Sequence, residues 1–270
     1  MNTQLEDKRI AHEKEFHDRW ARDMKADELL VRESFESPTA IENRYALKML
    51  GPLEGQKILD LGCGAGEAAV YFALSGAESY GSDISEGMVE VTRALAQKHN
   101  VHVNLSVAEA GRLPYPGGFF DFVFGNGVLH HVNFIACAEE VRRILKGSGR
   151  AIFVEPLAYN PAIQLYRRLA KEVRTDYEKP LNFGDIEKIK PFFSAFHHEE
   201  FWFLSLFIFA HFYFIRRWHP SKVRYWKKVI EAGYEYERFF ARLQGMDKFL
   251  LKYFPFLRLL CWNTVLVGVK

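Results

Sequence analysis

The stretch that decides the fold is ILDLGCGAGEAA, residues 58–69. A run of apolar residues leads directly into three glycines, Gly62, Gly64 and Gly66, and a helix-forming segment follows at once. Glycine permits a tight turn and the close approach of a ligand, and the free N–H groups at a helix N-terminus attract electron-rich groups. The stretch therefore predicts a buried strand, a ligand-binding turn and a helix.

Short apolar runs alternate with helical segments on the C-terminal side of this turn. Strands are predicted at 57–62, 78–83, 101–107, 119–125 and 149–155, and helices at 66–76, 85–100 and 134–146, with Ser85 and Asn133 as N-caps. This alternation indicates an α/β fold, a Rossmann-like, mostly parallel sheet between helices. Residues 261–269 have strand composition and are expected to return to the sheet edge. Near the N-terminus, Ser37 followed by Pro38 predicts a helix that runs through Leu50.

Composition limits the class of protein. The chain has 270 residues, 49% of them apolar, and a formal charge of +2, which excludes a broadly basic nucleic-acid-binding protein. Its three cysteines have no metal-type spacing, so no metal site is expected and a cytoplasmic setting fits. The longest uncharged stretch, 201–215, is shorter than the roughly 20 residues that span a bilayer.

The charge and the aromatic residues are unevenly distributed. Residues 161–230 hold 13 basic and 7 acidic side chains, and 12 of the 27 residues in 192–218 are aromatic. Three interpretations stay open for this segment: additional core, the lining of an apolar ligand pocket, or a peripheral membrane contact through 192–228. A cluster of four cations could hold an anionic ligand or could form a solvated helix face: Arg167, Arg168, Lys171 and Arg174.

Polar residues follow the next two predicted strands. Asp83 closes one strand 17 residues after Gly66, and Ala108-Glu109-Ala110 follows the next. Carboxyl ends of adjacent parallel strands meet at one edge of the sheet, where α/β folds bind ligands. A carboxylate can accept both hydroxyl hydrogen bonds of a ribose, and a side chain with a backbone N–H could bind an adenine edge. The spacing G-x-G-x-G differs from the dinucleotide pattern G-x-G-x-x-G and so disfavours an NAD(P)-dependent oxidoreductase.

The sequence resembles the class I S-adenosylmethionine-dependent methyltransferases, most closely the group related to ubiquinone and menaquinone methyltransferases. Five motifs carry the resemblance, in the same order as in that family: ILDLGCGAGEAA, the acid of GSDIS, AEAGRLPYPGGFFDFVF, GNGVLHHV and EEVRRILKGSGRAIFVEP. The resemblance covers residues 57–156, with a continuation in the last strand. It implies S-adenosyl-L-methionine as the cofactor.

The resemblance also implies a role for each matching residue. Gly62, Gly64 and Gly66 would face the methionine end of the cofactor, and Asp60 would lie beneath them near its amino group. Asp83 would bind the ribose. Glu109 and Ala110 would flank the adenine, and Asn126 would form the pocket floor near the sulfonium.

Three residues at strand ends could assist methyl transfer. His130 and His131 follow the strand 119–125, and Glu155 ends the next strand. An imidazole can deprotonate a hydroxyl at neutral pH, and a buried carboxylate could instead stabilise positive charge. Packing or capping is the alternative for all three.

The chain is expected to divide into an N-terminal helical segment or lid (1–50), a cofactor-binding core (51–160), an aromatic-rich helical cap (161–260) and a return strand (261–270). In related enzymes the N-terminal segment is commonly a lid, so Phe16, His17, Trp20 and Tyr45 could contact cofactor or acceptor. The alternative is a surface helix packed through its aromatic side chains.

The expected function is methylation of a small hydrophobic or lipid-like acceptor at oxygen or carbon. Nucleic acid is not the expected acceptor, because GNGVLHH stands where amino-methylation of bases would need a D/N-PPY-like motif. Two rivals remain: an NAD(P)-dependent oxidoreductase on a similar fold, and a membrane-associated cofactor-binding protein without catalytic activity.

Overall fold

A computed structural model describes residues 3–169, 178–219 and 223–270. Its centre is one seven-stranded sheet with the order β3-β2-β1-β4-β5-β7-β6. The strands are β1 Lys57–Leu61, β2 Glu78–Asp83, β3 Asn104–Val107, β4 Phe120–Asn126, β5 Leu145–Pro156, β6 Ala195–Phe201 and β7 Asn263–Val269. The pairs from β3 to β5 are parallel, and β7 is antiparallel to both neighbours. The predicted Rossmann-like α/β class is confirmed.

Eleven helices surround this sheet in the part of the chain described. They are α1 Thr3–Ala21, α2 Glu33–Glu36, α3 Ile41–Leu50, α4 Glu67–Leu74, α5 Glu86–Lys98, α6 Phe134–Ile144, α7 Pro161–Leu169, α8 Phe183–Ile189, α9 Phe207–Phe214, α10 Tyr225–Glu231 and α11 Glu237–Tyr253. The two predicted N-caps are confirmed. The Ser85 hydroxyl accepts from the Met88 N–H, and the Asn133 side chain accepts from the Ala136 N–H.

Alternating residues of the central strands fill two separate cores. On one face, Leu59 and Val123 pack with residues of α6 and α8. On the other face, Ile58 and Phe124 pack with residues of α3 and α4. Because side chains alternate across a strand, both faces of the sheet are covered by helices. Helix α3 therefore belongs to the sandwich itself, although it lies inside the predicted lid range 1–50.

The predicted helix start at Ser37 and Pro38 is wrong, since α3 begins at Ile41. The two hydroxyls of this segment serve a tertiary contact instead. Ser37 Oγ donates to the Ile230 carbonyl at 3.2 Å, and Thr39 Oγ1 donates to the Val229 carbonyl at 2.6 Å. The Ser37-Pro38 pattern, interpreted as a helix N-cap, thus belongs to a hydrogen-bonded contact between the N-terminal segment and α10.

The predicted position of the last strand at the sheet edge is also wrong. β7 lies between β5 and β6, and the edge strand is β6. Five consecutive residues of β7 are buried, as expected of a strand covered on both faces. The sequence of β6, AFHHEEF, is polar and half-exposed, which suits an edge.

The aromatic segment forms the core of a helical cap, defined here as α7, α9, α10, α11 and residues 202–206 and 254–262. Trp202, Phe209 and Phe212 are buried and pack against Tyr225 and Phe240. Additional core is therefore the main role of the segment, although some of its side chains stay exposed. β6, inside the predicted cap range 161–260, joins the sheet. No described helix is both long and apolar enough to cross a membrane.

Candidate active site

A cavity of about 1210 Å³ opens at the carboxyl ends of the central strands and extends into the cap. Its lining includes Gly62, Gly64 and Asp83 at one end and Trp202 and Trp262 at the other. Ligand pockets commonly measure roughly 300–1,000 Å³, so this cavity has room for two ligands side by side.

In the glycine loop 62–66, positive φ angles favour glycine at three positions, and lack of space for a β-carbon requires it at two of them. Gly62, Gly64 and Gly66 all have positive φ angles, of 66°, 51° and 85°. A β-carbon on Gly66 would lie 2.3 Å from Thr92 Cγ2, and one on Gly62 would lie 2.7 Å from Val128 Cγ2. A β-carbon on Gly64 would meet nothing within 4 Å. Gly66 is thus fixed by packing against α5, whereas Gly64 faces open space.

Two buried carboxylates hold this loop. Asp60 accepts from the Ala69 N–H at 3.0 Å, and Asp83 accepts from the Gly64 and Ser85 N–H groups at 2.9 Å each. Burial, together with the nearby charge of Asp83, raises the pKa of Asp60 to about 7. Burial also raises the pKa of Asp83. Both side chains line the cavity, where their remaining lone pairs could accept from a bound hydroxyl or ammonium group.

The other predicted cofactor residues are brought to the same cavity. Glu109 and Ala110 line it beyond the end of β3, in a short turn in which the Arg112 N–H donates to the Glu109 carbonyl. Asn126 ends β4 and its side chain donates to Asn43 Oδ1 at 3.2 Å. Of the predicted cofactor residues, Gly66 alone is absent from the described cavity lining.

His130 lies between two carboxylates. Its Nδ1 is 2.7 Å from Glu155 Oε2, and its Nε2 is 3.4 Å from Glu178 Oε1. Burial favours the neutral imidazole, but the charges and hydrogen bonds of Glu155 and Glu178 outweigh burial and raise the pKa of His130 to about 9. The imidazole is therefore a cation at neutral pH.

Glu155 has both oxygens engaged inside the protein. Oε2 binds His130, while Oε1 accepts from the Val128 and Leu129 N–H groups at 2.9 and 2.7 Å. Its side chain is fully buried and is not part of the described cavity lining. Such a carboxylate can orient the turn that carries the histidines but has no exposed oxygen to offer a substrate.

His131 differs from its neighbour in charge. Burial, followed by the positive charge of His130, lowers the pKa of His131, so its imidazole is neutral at neutral pH. Its Nδ1 lies 3.1 Å from Glu13 Oε2, and His17 Nε2 lies 3.7 Å from the same oxygen. Arg9 donates to the His131 carbonyl. Helix α1 is thus attached to the turn after β4.

The inner face of α1 covers the cavity. Phe16, His17 and Trp20 line it, as a lid would require. Tyr45, the fourth predicted contact, lies elsewhere, with its ring centroid 5.3 Å from that of Phe201 and its hydroxyl 3.4 Å from His197 Nε2.

The cap end of the cavity is aromatic and carries cations. Tyr166, Trp202 and Trp262 line it together with Arg167 and Arg168. Arg167 donates to Glu178 Oε1 at 2.8 Å, so this cation is already paired. The other two members of the predicted cationic cluster, Lys171 and Arg174, lie outside the described residues, as does Lys222.

Three carboxylates of the site were missed by the sequence analysis. Glu13 could have been found, because it lies four residues before His17 and therefore on the same helix face. Glu178 and Glu42 have no local signal. Glu42 lines the cavity and accepts from Trp202 Nε1 and Asn263 Nδ2, which come from distant parts of the chain.

Among the described residues, two groups of side chains have potential metal ligands within 4.8 Å of one another: Glu13, His17 and His131, and His130, His131 and Glu178. The sequence predicts no metal site. In both groups the carboxylate contacts a histidine directly, as a hydrogen bond or ion pair.

Residues 59–153 match the family of the methyltransferase domain. The chain is 31% identical over 127 residues to a demethylmenaquinone methyltransferase of Lactococcus lactis, covering 45% of this chain and 50% of the relative. It is 36% identical over 132 residues to a ubiquinone biosynthesis O-methyltransferase of Alkalilimnicola ehrlichii, covering 47% of this chain and 52% of the relative. The chain thus spans about half the length of the curated relatives it matches.

A solved structure with a similar fold is phosphoethanolamine N-methyltransferase 2 of Haemonchus contortus in complex with phosphomonomethylethanolamine and S-adenosylhomocysteine. The TM-score is 0.56 at 20% identity, with 85% of this chain and 52% of that chain covered. The fold is therefore shared with this enzyme. The domain match confirms the sequence-based recognition of a methyltransferase domain over residues 59–153.

Proposed function

Because residues 59–153 form a methyltransferase domain, we propose that this protein is an S-adenosylmethionine-dependent methyltransferase. Its acceptor is a small hydrophobic or lipid-like molecule, methylated at oxygen or carbon. The observation that carries the proposal is the single cavity that joins the glycine loop to the aromatic cap. Donor and acceptor can meet in this cavity.

The cofactor is assigned to the glycine-loop end of this cavity. Asp83 would accept from the ribose hydroxyls while it keeps its bond to the Gly64 N–H. Glu109 and Ala110 would flank the adenine, and Asn126 would lie near the sulfonium. These assignments are supported by the shared cavity, which all four residues line.

The reaction is an in-line displacement, so the enzyme acts mainly by positioning the two ligands. Bound S-adenosylmethionine would supply the methyl group: a lone pair of an acceptor oxygen, or a π or carbanion pair of an acceptor carbon, would form the new bond to the methyl carbon as the carbon–sulfur bond breaks. The sulfur would keep the electron pair of the broken bond and leave as a neutral thioether. A proton on the acceptor must pass to a base.

His131 is the base in this proposal, whereas His130 and Glu155 are positioning residues. His130 carries a proton at neutral pH and cannot accept another, while the lowered pKa of His131 leaves it neutral. In the neutral tautomer whose Nδ1–H donates a hydrogen bond to Glu13, Nε2 of His131 presents the lone pair. Glu13 thereby orients the base, as a carboxylate does in a catalytic triad.

The acceptor is assigned to the cap end. Four aromatic side chains of the cap line the cavity, Tyr166, Trp202, Trp226 and Trp262, which supports a flat apolar acceptor. The names of the two relatives refer to menaquinone and ubiquinone biosynthesis and agree with such a molecule. A peripheral membrane contact through 192–228 stays a prediction, because most aromatic side chains described in that segment are at least partly buried.

The cofactor assignment is tested by calorimetric titration of the protein with S-adenosylmethionine and, separately, with NADPH. We expect S-adenosylmethionine alone to bind. Asp83→Ala should weaken binding by about 10- to 100-fold, since two hydrogen bonds to a charged group are lost. Asp121→Ala is the control, because Asp121 pairs with Lys146 at the opposite end of the strands. Equal affinity of Asp83→Ala and the parent would refute the ribose assignment.

The base is tested by transfer of a radiolabelled methyl group to a hydroquinone with a short isoprenoid tail. We expect His131→Ala to lower kcat by about 10²- to 10⁴-fold with little change in cofactor affinity. His102→Ala, which alters an exposed histidine after α5, should keep full activity. Full turnover of His131→Ala would place the base elsewhere. Cofactor binding without transfer to any oxygen or carbon acceptor would favour the non-catalytic rival.

A further inference from the structure

Helix α11 carries two apolar faces, and one of them is exposed. Phe240 and Asp247 are buried on the face that packs into the cap. Phe239, Met246, Phe249 and Tyr253 are exposed by 46%, 51%, 60% and 58%. At 3.6 residues per turn these four residues fall within an arc of about 80°, so they form one continuous stripe.

The exposed stripe continues beyond the end of the helix. The rings of Phe249 and Tyr253 lie 4.8 Å apart, and Phe254 and Phe256 follow with ring centroids 6.2 Å apart. Phe256 is 67% exposed, and Leu259 also faces solvent. We call the whole set the α11 surface: Phe239, Met246, Phe249, Tyr253, Phe254, Phe256 and Leu259. Contiguous apolar surfaces of this kind are uncommon on soluble proteins and mark interaction sites.

Cations accompany the α11 surface. Arg242 lies inside the apolar arc, and Arg238 and Lys252 lie along one rim of it. None of the three makes an ion pair with a described residue, and Lys252 rests over the Tyr253 ring at 5.4 Å. Glu237, at the opposite side of the first turn, is the one exposed acid of this helix. The surface is therefore apolar, aromatic and positively charged.

We infer that the α11 surface binds a lipid bilayer with anionic headgroups. Phenylalanine and tyrosine side chains enter the boundary between headgroups and acyl chains, and long cationic side chains reach the phosphates above. A helix of 17 residues is about 25 Å long, enough to lie in that boundary without crossing it. This inference rests on the exposed surface and does not depend on the proposed reaction.

The α11 surface lies in a different part of the cap from the segment 192–228, for which the sequence analysis left a membrane contact open. Within that segment Phe214 and Ile215 are even more exposed, at 72% and 68%. They are two adjacent residues at the end of α9, followed by Arg216, whose guanidinium is already paired with Glu235. Phe207 and Tyr213 of the same helix are also exposed, at 60% and 44%, so this second exposed apolar group of the cap serves as the comparison for the α11 surface.

The test is co-sedimentation of the full chain with vesicles of phosphatidylcholine, with or without phosphatidylglycerol. We expect binding to the anionic vesicles that weakens as NaCl is raised. Phe249→Ser/Tyr253→Ser should reduce binding by about tenfold or more, because two rings no longer leave water. The separate triple variant Arg238→Gln/Arg242→Gln/Lys252→Gln should also reduce binding to the anionic vesicles at low salt, because three cations no longer attract the headgroups. Phe214→Ser/Ile215→Ser should bind like the parent.

Several outcomes would overturn the inference. The first is no retention of the parent on anionic vesicles at low salt, and the second is loss of binding only in Phe214→Ser/Ile215→Ser. A third is a dimer, seen by sedimentation velocity, that Phe249→Ser/Tyr253→Ser abolishes in the absence of lipid, which would assign the surface to a second copy. Circular dichroism spectra of all variants check that they fold, and none of these measurements requires methyl transfer.

Discussion

The two ends of the cavity are built in different ways. The cofactor end comes from one local pattern, a strand, a glycine turn and a helix, in which the Asp60 and Asp83 carboxylates accept from N–H groups 9 and 19 residues away. The cap end is assembled from distant segments, as in the bond from Trp202 to Glu42, 160 residues away. Backbone geometry therefore determines the first end, and side-chain packing between segments determines the second.

Substitution of Gly66 tests the backbone-determined end and should have the largest effect. Gly66→Ala places a β-carbon 2.3 Å from Thr92 Cγ2 at a φ of 85°, so the loop or α5 must move. We expect the free energy of unfolding, measured by urea denaturation, to fall by about 2–4 kcal/mol. Gly118→Ala is the control, because its φ is also positive but its β-carbon would meet nothing within 4 Å. That variant should lose only about 1 kcal/mol.

If Gly66→Ala and Gly118→Ala lose the same stability, the packing of the glycine loop against α5 is not a constraint. The positive φ angles would then be the only evidence that backbone geometry determines the cofactor end.

The His130 ion pairs join the two ends, and their pH dependence should have the next largest effect. Glu155 and Glu178 raise the pKa of His130 from 6.5 to about 9 in the folded protein. This raised pKa contributes stability that is fully present below pH 6.5 and is lost as pH rises through 9. The loss amounts to at most about 3 kcal/mol.

Urea denaturation between pH 7 and 10 measures this loss, and Asp60, with a pKa of about 7, titrates only at the lower end of this range. The variant His130→Asn should be less stable than the parent at pH 7 and should lack this part of the pH dependence. If the free energy of unfolding of the parent does not fall between pH 7 and 10, His130 is neutral at pH 7. The charge difference that favours His131 over His130 as the base would then be absent.

Trp202 tests the side-chain-determined end, with the smallest expected effect. Trp202→Phe keeps an aromatic ring in the cap but removes the N–H that donates to the Glu42 carboxylate at 2.8 Å. Burial already raises the pKa of Glu42, and loss of this donor should raise it further. We expect a loss of about 1–2 kcal/mol in unfolding free energy.

S-adenosylmethionine affinity of Trp202→Phe should be unchanged in calorimetry, because the cofactor end is built locally. Trp226→Phe, at a side chain 43% exposed, should retain the parent's stability. Weaker cofactor binding in Trp202→Phe would show that the two ends are coupled.

The contrast also explains how far the sequence could predict the structure. Strand positions, the glycine turn and the N-caps Ser85 and Asn133 depend on residues a few positions apart, and they were predictable. The cap signal at Ser37 misled because its hydroxyl binds the distant Ile230 carbonyl. No pattern of neighbouring residues indicates a hydrogen-bond partner that lies so far away in the sequence.

The same limit applies to the candidate site. The pattern HH at 130–131 could not show that one histidine is charged and the other neutral. That difference in pKa arises because Glu155 and Glu178 contact His130, while burial and then the charge of His130 act on His131. Position along the chain therefore located both side chains, and only their tertiary surroundings distinguished them.

The place of β7 in the sheet has a consequence for the order in which the protein forms during synthesis. β6 is hydrogen-bonded in the sheet only to β7, among the residues described, yet it precedes β7 by more than sixty residues. A ribosome must therefore complete residues 263–269 before β6 can join the sheet. The cofactor end, whose strands β1 to β5 pair without β7, can fold while the chain is still growing. The cap end is completed last.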